Sequence, residues 1–387
     1  MRKFFLIALF LLTADNIDAQ EVQNIADLDF LYKSIKTLPS YRDQLKNDTA
    51  YRQLYERIRK DLTSNDEFEV YQKLLQLIYP IKDNHLGFYR KPDSTFRFKY
   101  LRLKTDPTEL EAKFKNYPKD SLEGIYFRSN ADEKYVVFRQ KENLYYLQNL
   151  KTGLVEALLN KTGDQSIDAI RFLNPPLSYI LYRNIKLSNG MLIGLSYQKL
   201  PIRAYAPVNF GYGNYEYKDL EQGIGYLRLT SFLSSNENIK VATDFFTKVR
   251  PTINTDQLIV DLRNNRGGGN KTSGQFAKFL KNYKGKIFIL QNGITMSNAE
   301  QFIIDIKDKK DVTTLGESTR GTITYGSNYG KTIELPSNRF LFYPTDMSGR
   351  AEDLVFESIG VKPDVSLDAF TEDWISQTIK YIKTNYP

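Results

Sequence analysis

From about residue 216 the chain alternates strand-like and helix-like segments, and that alternation constrains its fold more than any other feature. IGYLRLTSF reads as a strand, NENIKVATDFFTKVRP as a helix, and QLIVDL as a strand that runs into three glycines. SGQFAKFLKNY is again helical, KIFILQN is a strand, and a further helix follows TMSNAE. Strands separated by helices pair in parallel, with the helices covering the sheet. The segments TTLGES, KTIELP and RFLFYPT return to strand before a closing helix, EDWISQTIKYIKTN.

Two other textures precede this core. IADLDFLYKSIKTL, YRQLYERIRKDL and EFEVYQKLLQLIYPI carry apolar residues at helical spacing and predict a small bundle. Between about 95 and 215, segments such as KYVVFRQ, NLYYLQN and SYILYRNIKL are rich in β-branched and aromatic residues. Turn signals such as KEN, LKTG and SNG separate them, which predicts a small antiparallel sheet or barrel. The first residues, MRKFFLIALFLLTADNIDAQ, have a basic start and an apolar run too short to span a bilayer, the pattern of a secretory signal peptide. The expected organisation is a signal peptide at 1–19, a helical domain at 20–92, a β-rich insert at 93–215 and the strand–helix core at 216–387. The fold class is α/β, in the multidomain α+β sense.

Composition excludes several functions. The chain has one histidine and no cysteine, so a zinc site of the usual kind cannot form, and no metal or cofactor is expected. The net charge of +8 is spread over the surface, with only short clusters such as KDKK at 307–310, so no nucleic-acid partner is expected. Export without cysteine means neither disulfides nor a lipid-attachment thiol, and no integral membrane contact is expected. The localisation expected is periplasmic or secreted.

Three motifs bear on chemistry. In TMSNAE, Ser297 and Glu300 match a capping box, and the hexamer alone reads as a helix cap. A cap does not exclude a nucleophile, because a serine at a strand-to-helix turn stands beside amide hydrogens suited to an oxyanion. In LIVDLRNNRGGGN, consecutive glycines let the backbone approach a ligand closely, or form a flexible turn. Neither pattern of phosphate-binding loop is present. In KDNHLGFY, His85 is the only imidazole available as a base, and Asp83 either orients it or shapes the turn.

Together these pieces resemble the carboxy-terminal processing (tail-specific) peptidases and the tricorn core peptidase, serine peptidases with a crotonase-like ββα core. The resemblance rests on five ordered segments: GIGYLRLTSF, IVDLRNNRGGG, TMSNAEQF, LGESTRGTITYG and ESIGVKPDV, spread over residues 216–366. It implies Ser297 as nucleophile, with Gly267, Gly268 and the amide of Asn298 as the oxyanion hole. Tail-specific peptidases place a general-base lysine within GEKT; here Ser318 stands there, and Lys307, Lys309 and Lys310 are expected to face solvent. The tricorn-like branch instead uses a histidine in a D-x-H context, matched by Asp83-Asn84-His85, and a glutamate before G-V-x-P-D, matched by Glu357. Asn84 replaces the serine that precedes the tricorn histidine.

The resemblance thus implies hydrolysis of protein or peptide substrates by a Ser297–His85–Glu357 arrangement. No PDZ-like sequence is recognisable between 90 and 215, which leaves carboxy-terminal specificity unsupported. The rival readings are a catalytically silent peptide- or apolar-ligand-binding protein and an acyl-CoA enzyme of the crotonase type. The latter conflicts with export.

Overall fold

The computed structural model describes residues 2–128, 133–163, 166–207, 213–220, 223–308, 312–328 and 330–386, without the side chains of residues 2–18. The chain forms two compact units, neither of them continuous in sequence. One comprises Met1–Tyr100, Ile170–Arg183 and Tyr325–Gly349; the other comprises Leu101–Ala169, Asn184–Thr324 and Arg350–Pro387.

The first unit is helical at its start. Helices span Arg2–Lys36, Pro39–Gln44, Thr49–Asp61 and Glu67–Ile78. Two of them begin where the sequence supplies an acceptor: Asp48 takes the amides of Ala50 and Tyr51, and Asp66 those of Phe68 and Glu69. Their apolar stripes, including Leu31, Ile35, Ile58, Leu74 and Ile78, are buried. The residues of the expected signal peptide lie at the start of the first helix, and their side chains up to residue 18 are outside the described residues. No helix among the described residues is long and apolar enough to cross a membrane.

After the fourth helix, the strand Gly87–Arg90 pairs antiparallel with Phe340–Tyr343, which also pairs with Ile333–Glu334. Tyr71 stacks on Phe88 at 5.1 Å between ring centres and donates its hydroxyl to the Phe88 carbonyl at 2.8 Å. That contact fixes the strand against the helix carrying Tyr71, and so fixes the turn between them that holds His85.

The second unit contains a six-stranded sheet: Tyr215–Asp219, Ile224–Leu229, Gln257–Asp261, Lys286–Gln291, Val312–Gly316 and Val365–Ser366, in that spatial order. The first pair is antiparallel and the rest are parallel. Alternation along the strands divides the core into two faces. Leu258, Val260, Ile287 and Ile289 pack with Phe276, Leu280, Phe302 and Ile306 from helices Asn270–Lys281 and Asn298–Lys307. Ile259, Phe288, Leu290 and Leu315 pack on the other side with Trp374 and Ile382 of the closing helix Trp374–Asn385. A parallel sheet buried on both faces explains why these strands read as unbroken apolar runs. This mixed α/β arrangement agrees with the fold class expected from sequence.

The same unit holds an antiparallel meander of Gly124–Arg128, Lys134–Lys141, Leu144–Asn149 and Val155–Lys161. These are the aromatic and β-branched segments that the sequence marks as strands.

Candidate active site

Ser297 stands between the strand Lys286–Gln291 and the helix Asn298–Lys307. The intervening loop is tied down by its own polar side chains. Asn292 Oδ1 accepts the amides of Asn264, Ile294 and Thr295, and the Thr295 hydroxyl donates to the Leu262 carbonyl at 2.9 Å. Held this way, Ser297 adopts φ 58° and ψ −129°, a region sparsely populated by residues with a side chain. Such a conformation stores roughly 1–3 kcal/mol, so the surrounding contacts must over-determine it. They do: the Ser297 amide donates to the Thr322 carbonyl at 2.8 Å and to Glu300 Oε2 at 3.0 Å. The capping box read from the sequence is present. The Glu300 amide also reaches the main-chain carbonyl of Ser297 at 2.8 Å, so the first helical turn does not depend on the serine hydroxyl.

The glycine loop lies beside this turn. Its preceding strand ends in the fully buried pair Asp261–Arg263, 2.6 Å apart, with the Tyr226 hydroxyl also on Asp261 at 2.9 Å. Gly267 has φ 83°, and a Cβ there would sit 2.8 Å from Ser297 Cβ and 2.9 Å from the Asn298 nitrogen. Gly268 has φ 144°, and a Cβ there would fall 1.7 Å from the Phe232 carbonyl oxygen. Both positions require glycine. Phe232 clamps the run from the other side, its amide on the Gly267 carbonyl and its carbonyl on the Gly269 amide.

One expectation changes here. The resemblance implied Gly267 as an oxyanion donor, but its N–H is donated to Asn265 Oδ1 at 2.8 Å. Asn265 is itself buried and held by the Leu229 carbonyl at 2.9 Å, so that amide is committed. Gly267 therefore contributes conformation and space. The N–H groups of Gly268 and Asn298 make no hydrogen bond among the described residues.

Glu357 is buried at the end of the 3₁₀ helix Ala351–Phe356, and its Oε2 accepts the amides of Ile323 and Thr324, each at 2.9 Å. Ser318, where a tail-specific peptidase would have lysine, is half-buried and makes no side-chain hydrogen bond among the described residues. Lys307 is engaged by Asp364 and Thr314. Lys309 and Lys310 lie outside the described residues.

Sequence reasoning passed over Lys186. It is buried, donates to the carbonyls of Thr319 and Ile359, and burial presses its ammonium down to about 8 against the pull of Glu300. The strand Tyr179–Ser188 alternates at its start with the odd positions buried, so its pattern gave no signal for Lys186. Because both of its hydrogen-bond partners among the described residues are main-chain carbonyls, its contacts are those of a strut under residues 319 and 359.

In the first unit, His85 is half-buried, and desolvation holds its imidazole below the ordinary range although Asp83 pushes it up. Asp83 is fully buried. Its carboxylate accepts the main-chain amide of His85 at 3.2 Å and the Thr345 hydroxyl at 2.6 Å. These contacts shape the turn that carries His85. Arg183 reinforces that turn through the carbonyls of Ile78, Ile81 and Asp83. Asn84, between them, is half-buried.

A serine at a strained strand-to-helix turn is the geometry in which several unrelated hydrolases present an attacking hydroxyl. The sequence around it carries the same indication. Residues 223–281 and 269–367 match the profile of Peptidase family S41. The class of protein is that of the serine-type peptidases, acting on proteins or peptides. Within that class, residues 223–367 of the chain are similar to peptidase family S41.

A search of curated proteins finds no match. Among solved structures, mature CPAF shares 11% identity over 95% of this chain and 99% of its own, with a TM-score of 0.45. The photosystem II D1 C-terminal processing protease shares 14% over 90% and 93%, with a TM-score of 0.39. A lipoprotein from Streptococcus agalactiae shares 12% over 94% and 96%, with a TM-score of 0.42. Likeness at this level says nothing about activity.

Proposed function

We propose that the chain is an exported serine endopeptidase in which Ser297 attacks the peptide carbonyl. His85 takes the serine proton and returns it to the leaving amine, and Glu357 fixes the imidazole tautomer. The amides of Gly268 and Asn298 receive the oxyanion, each worth roughly 3 kcal/mol of barrier by the effect of removing such donors elsewhere. The scaffold is a crotonase-like core. A cavity of about 90 Å³ at the start of the loop leading to Ser297, lined by Met191, Ile193, Asn292, Ile294 and Glu317 among others, offers room for a substrate side chain.

The observation that carries this reading is the backbone of Ser297, strained at φ 58°, with the unbonded amide of Asn298 next to it and that of Gly268 in the adjoining glycine loop. Capping residues typically have an extended backbone, and neither a cap nor a pure binding protein needs strain there. A neutral imidazole suits a base, and the lowered proton affinity of His85 keeps it neutral at pH 7.

The test is Ser297→Ala assayed on an unfolded protein substrate, with a fluorophosphonate probe on the parent chain. Loss of all cleavage with the fold intact, and probe attachment at residue 297, are expected. Full cleavage by the alanine variant sinks the mechanism. Export is tested by sequencing the amino terminus of protein recovered from the periplasm or medium, which is expected to begin near residue 20.

A further inference from the structure

Glu300 does far more than a helix cap requires. It is fully buried, and its carboxylate collects four hydrogens from two chain segments. Oε2 accepts the amides of Ser297 and Thr322, both at 3.0 Å. Oε1 accepts the Gly321 amide at 2.7 Å and the Thr319 hydroxyl at 2.5 Å. Thr319 extends the chain of bonds, because its Oγ1 accepts the Val361 amide at 2.7 Å and its own amide donates to the Val361 carbonyl at 3.1 Å. A third segment, the one that follows Glu357, is thereby joined to the serine turn.

A capping box uses one carboxylate oxygen on one amide. Burying a carboxylate for that purpose alone would be unfavourable, since desolvation is compensated only when the lone pairs are filled. Here they are filled, by donors that cannot follow one another unless residues 297, 319, 321, 322 and 361 keep a single arrangement. Burial still raises the proton affinity of Glu300, which the hydrogen bonds from Thr319, Gly321 and Thr322 and the charge of Lys186 oppose. A rigid planar group bonded on both oxygens is well suited to over-determine a strained φ at its neighbour.

We infer that Glu300 is the positioning residue of the serine turn, holding Ser297 in its strained conformation and locking it to residues 319–322 and, through Thr319, to Val361. This inference rests on the peptidase reading only for its effect on rate; the clamp itself is a statement about main-chain order. By fixing Ser297, the clamp also fixes the direction of the Asn298 amide.

The experiment uses the full chain and Glu300→Gln, which keeps the shape but turns an acceptor into a donor facing two N–H or O–H groups. Amide hydrogen exchange at Ser297, Gly321 and Thr322 is expected to quicken at least tenfold while the strand Gln257–Asp261 is unchanged. Fluorophosphonate acylation is expected to lose at least thirtyfold in its maximal rate, with the probe's binding constant within threefold. Thr319→Val removes one donor and no charge, and is expected to slow acylation at least threefold; it carries the test if Glu300→Gln does not fold. Unchanged exchange and unchanged acylation in a folded variant overturn the clamp. If the parent chain takes no label but exchange still quickens in Glu300→Gln, the clamp stands and the peptidase reading falls.

Discussion

The amide hydrogen of Gly267 is donated to Oδ1 of Asn265 at 2.8 Å, which commits the first member of a glycine pair that looks equivalent in the sequence. Asn265 also holds the Leu229 carbonyl, and its own carbonyl receives the Met296 amide at 3.0 Å. One buried residue thus ties together the glycine loop and a central strand through its side chain, and the approach to Ser297 through its main chain. Asn265→Ala should destabilise the fold by roughly 1–3 kcal/mol, the usual cost of leaving buried partners unbonded. Cleavage by the protein that remains folded should fall at least tenfold. Denaturant melts and steady-state kinetics on the same sample check both.

Ser297→Gly separates strain from chemistry. Glycine adopts φ 58° without strain, so relief of roughly 1–3 kcal/mol opposes an entropic cost of roughly 0.5–1 kcal/mol. The variant should be inactive and at least as stable as the parent, as read by its thermal midpoint. A clear loss of stability would mean that the serine is not strained.

Gly268→Ala should fail to fold or lose more than about 3 kcal/mol, since its methyl would overlap the Phe232 carbonyl at 1.7 Å and its φ is 144°. Expression and melting of this variant beside Gly274→Ala, where a Cβ meets nothing within 4 Å, make the comparison.

The pH dependence of kcat/KM should follow His85. The imidazole must be neutral to accept the serine proton, and desolvation holds its pKa below 6.5. The acid limb should therefore have its midpoint below 6.5, with activity retained at pH values where an ordinary histidine would already be charged. A midpoint at or above 6.5 would assign the limb to another group.

Lys186 makes a stability prediction of definite sign. Its folded pKa is about 8 against an ordinary 10.5, so between these values the unfolded chain binds more protons. Stability contributed by this residue should rise with pH through that window and be lost as pH falls towards 8. The parent should gain on Lys186→Met by up to about 3 kcal/mol between pH 8 and 10.5. Urea melts across the window check it.

The legible part of the fold is local. Asp48, Asp66 and Ser235 start helices where the sequence places a cap, because a cap is a bond between residues two or three apart. The central strands are recognisable as apolar runs because both of their faces are covered. Ser297 and the glycines stand out because few residue types tolerate such turns. By contrast, nothing near Glu300 announces that its other donors come from residues 319–322, and nothing in the run NIKLS marks Lys186 as buried under two carbonyls.

The sequence by itself determined the order of strands and helices in the core and the position of the serine at the end of a strand. Those features follow from backbone periodicity and from the sterics of single residues. Tertiary structure alone decided that Gly267 is committed and Gly268 is not, that Ser297 sits at a positive φ, and that three separated stretches fold into one unit. Each of those outcomes is set by hydrogen bonds and packing between residues tens of positions apart, whose partners cannot be read from the neighbours of either one.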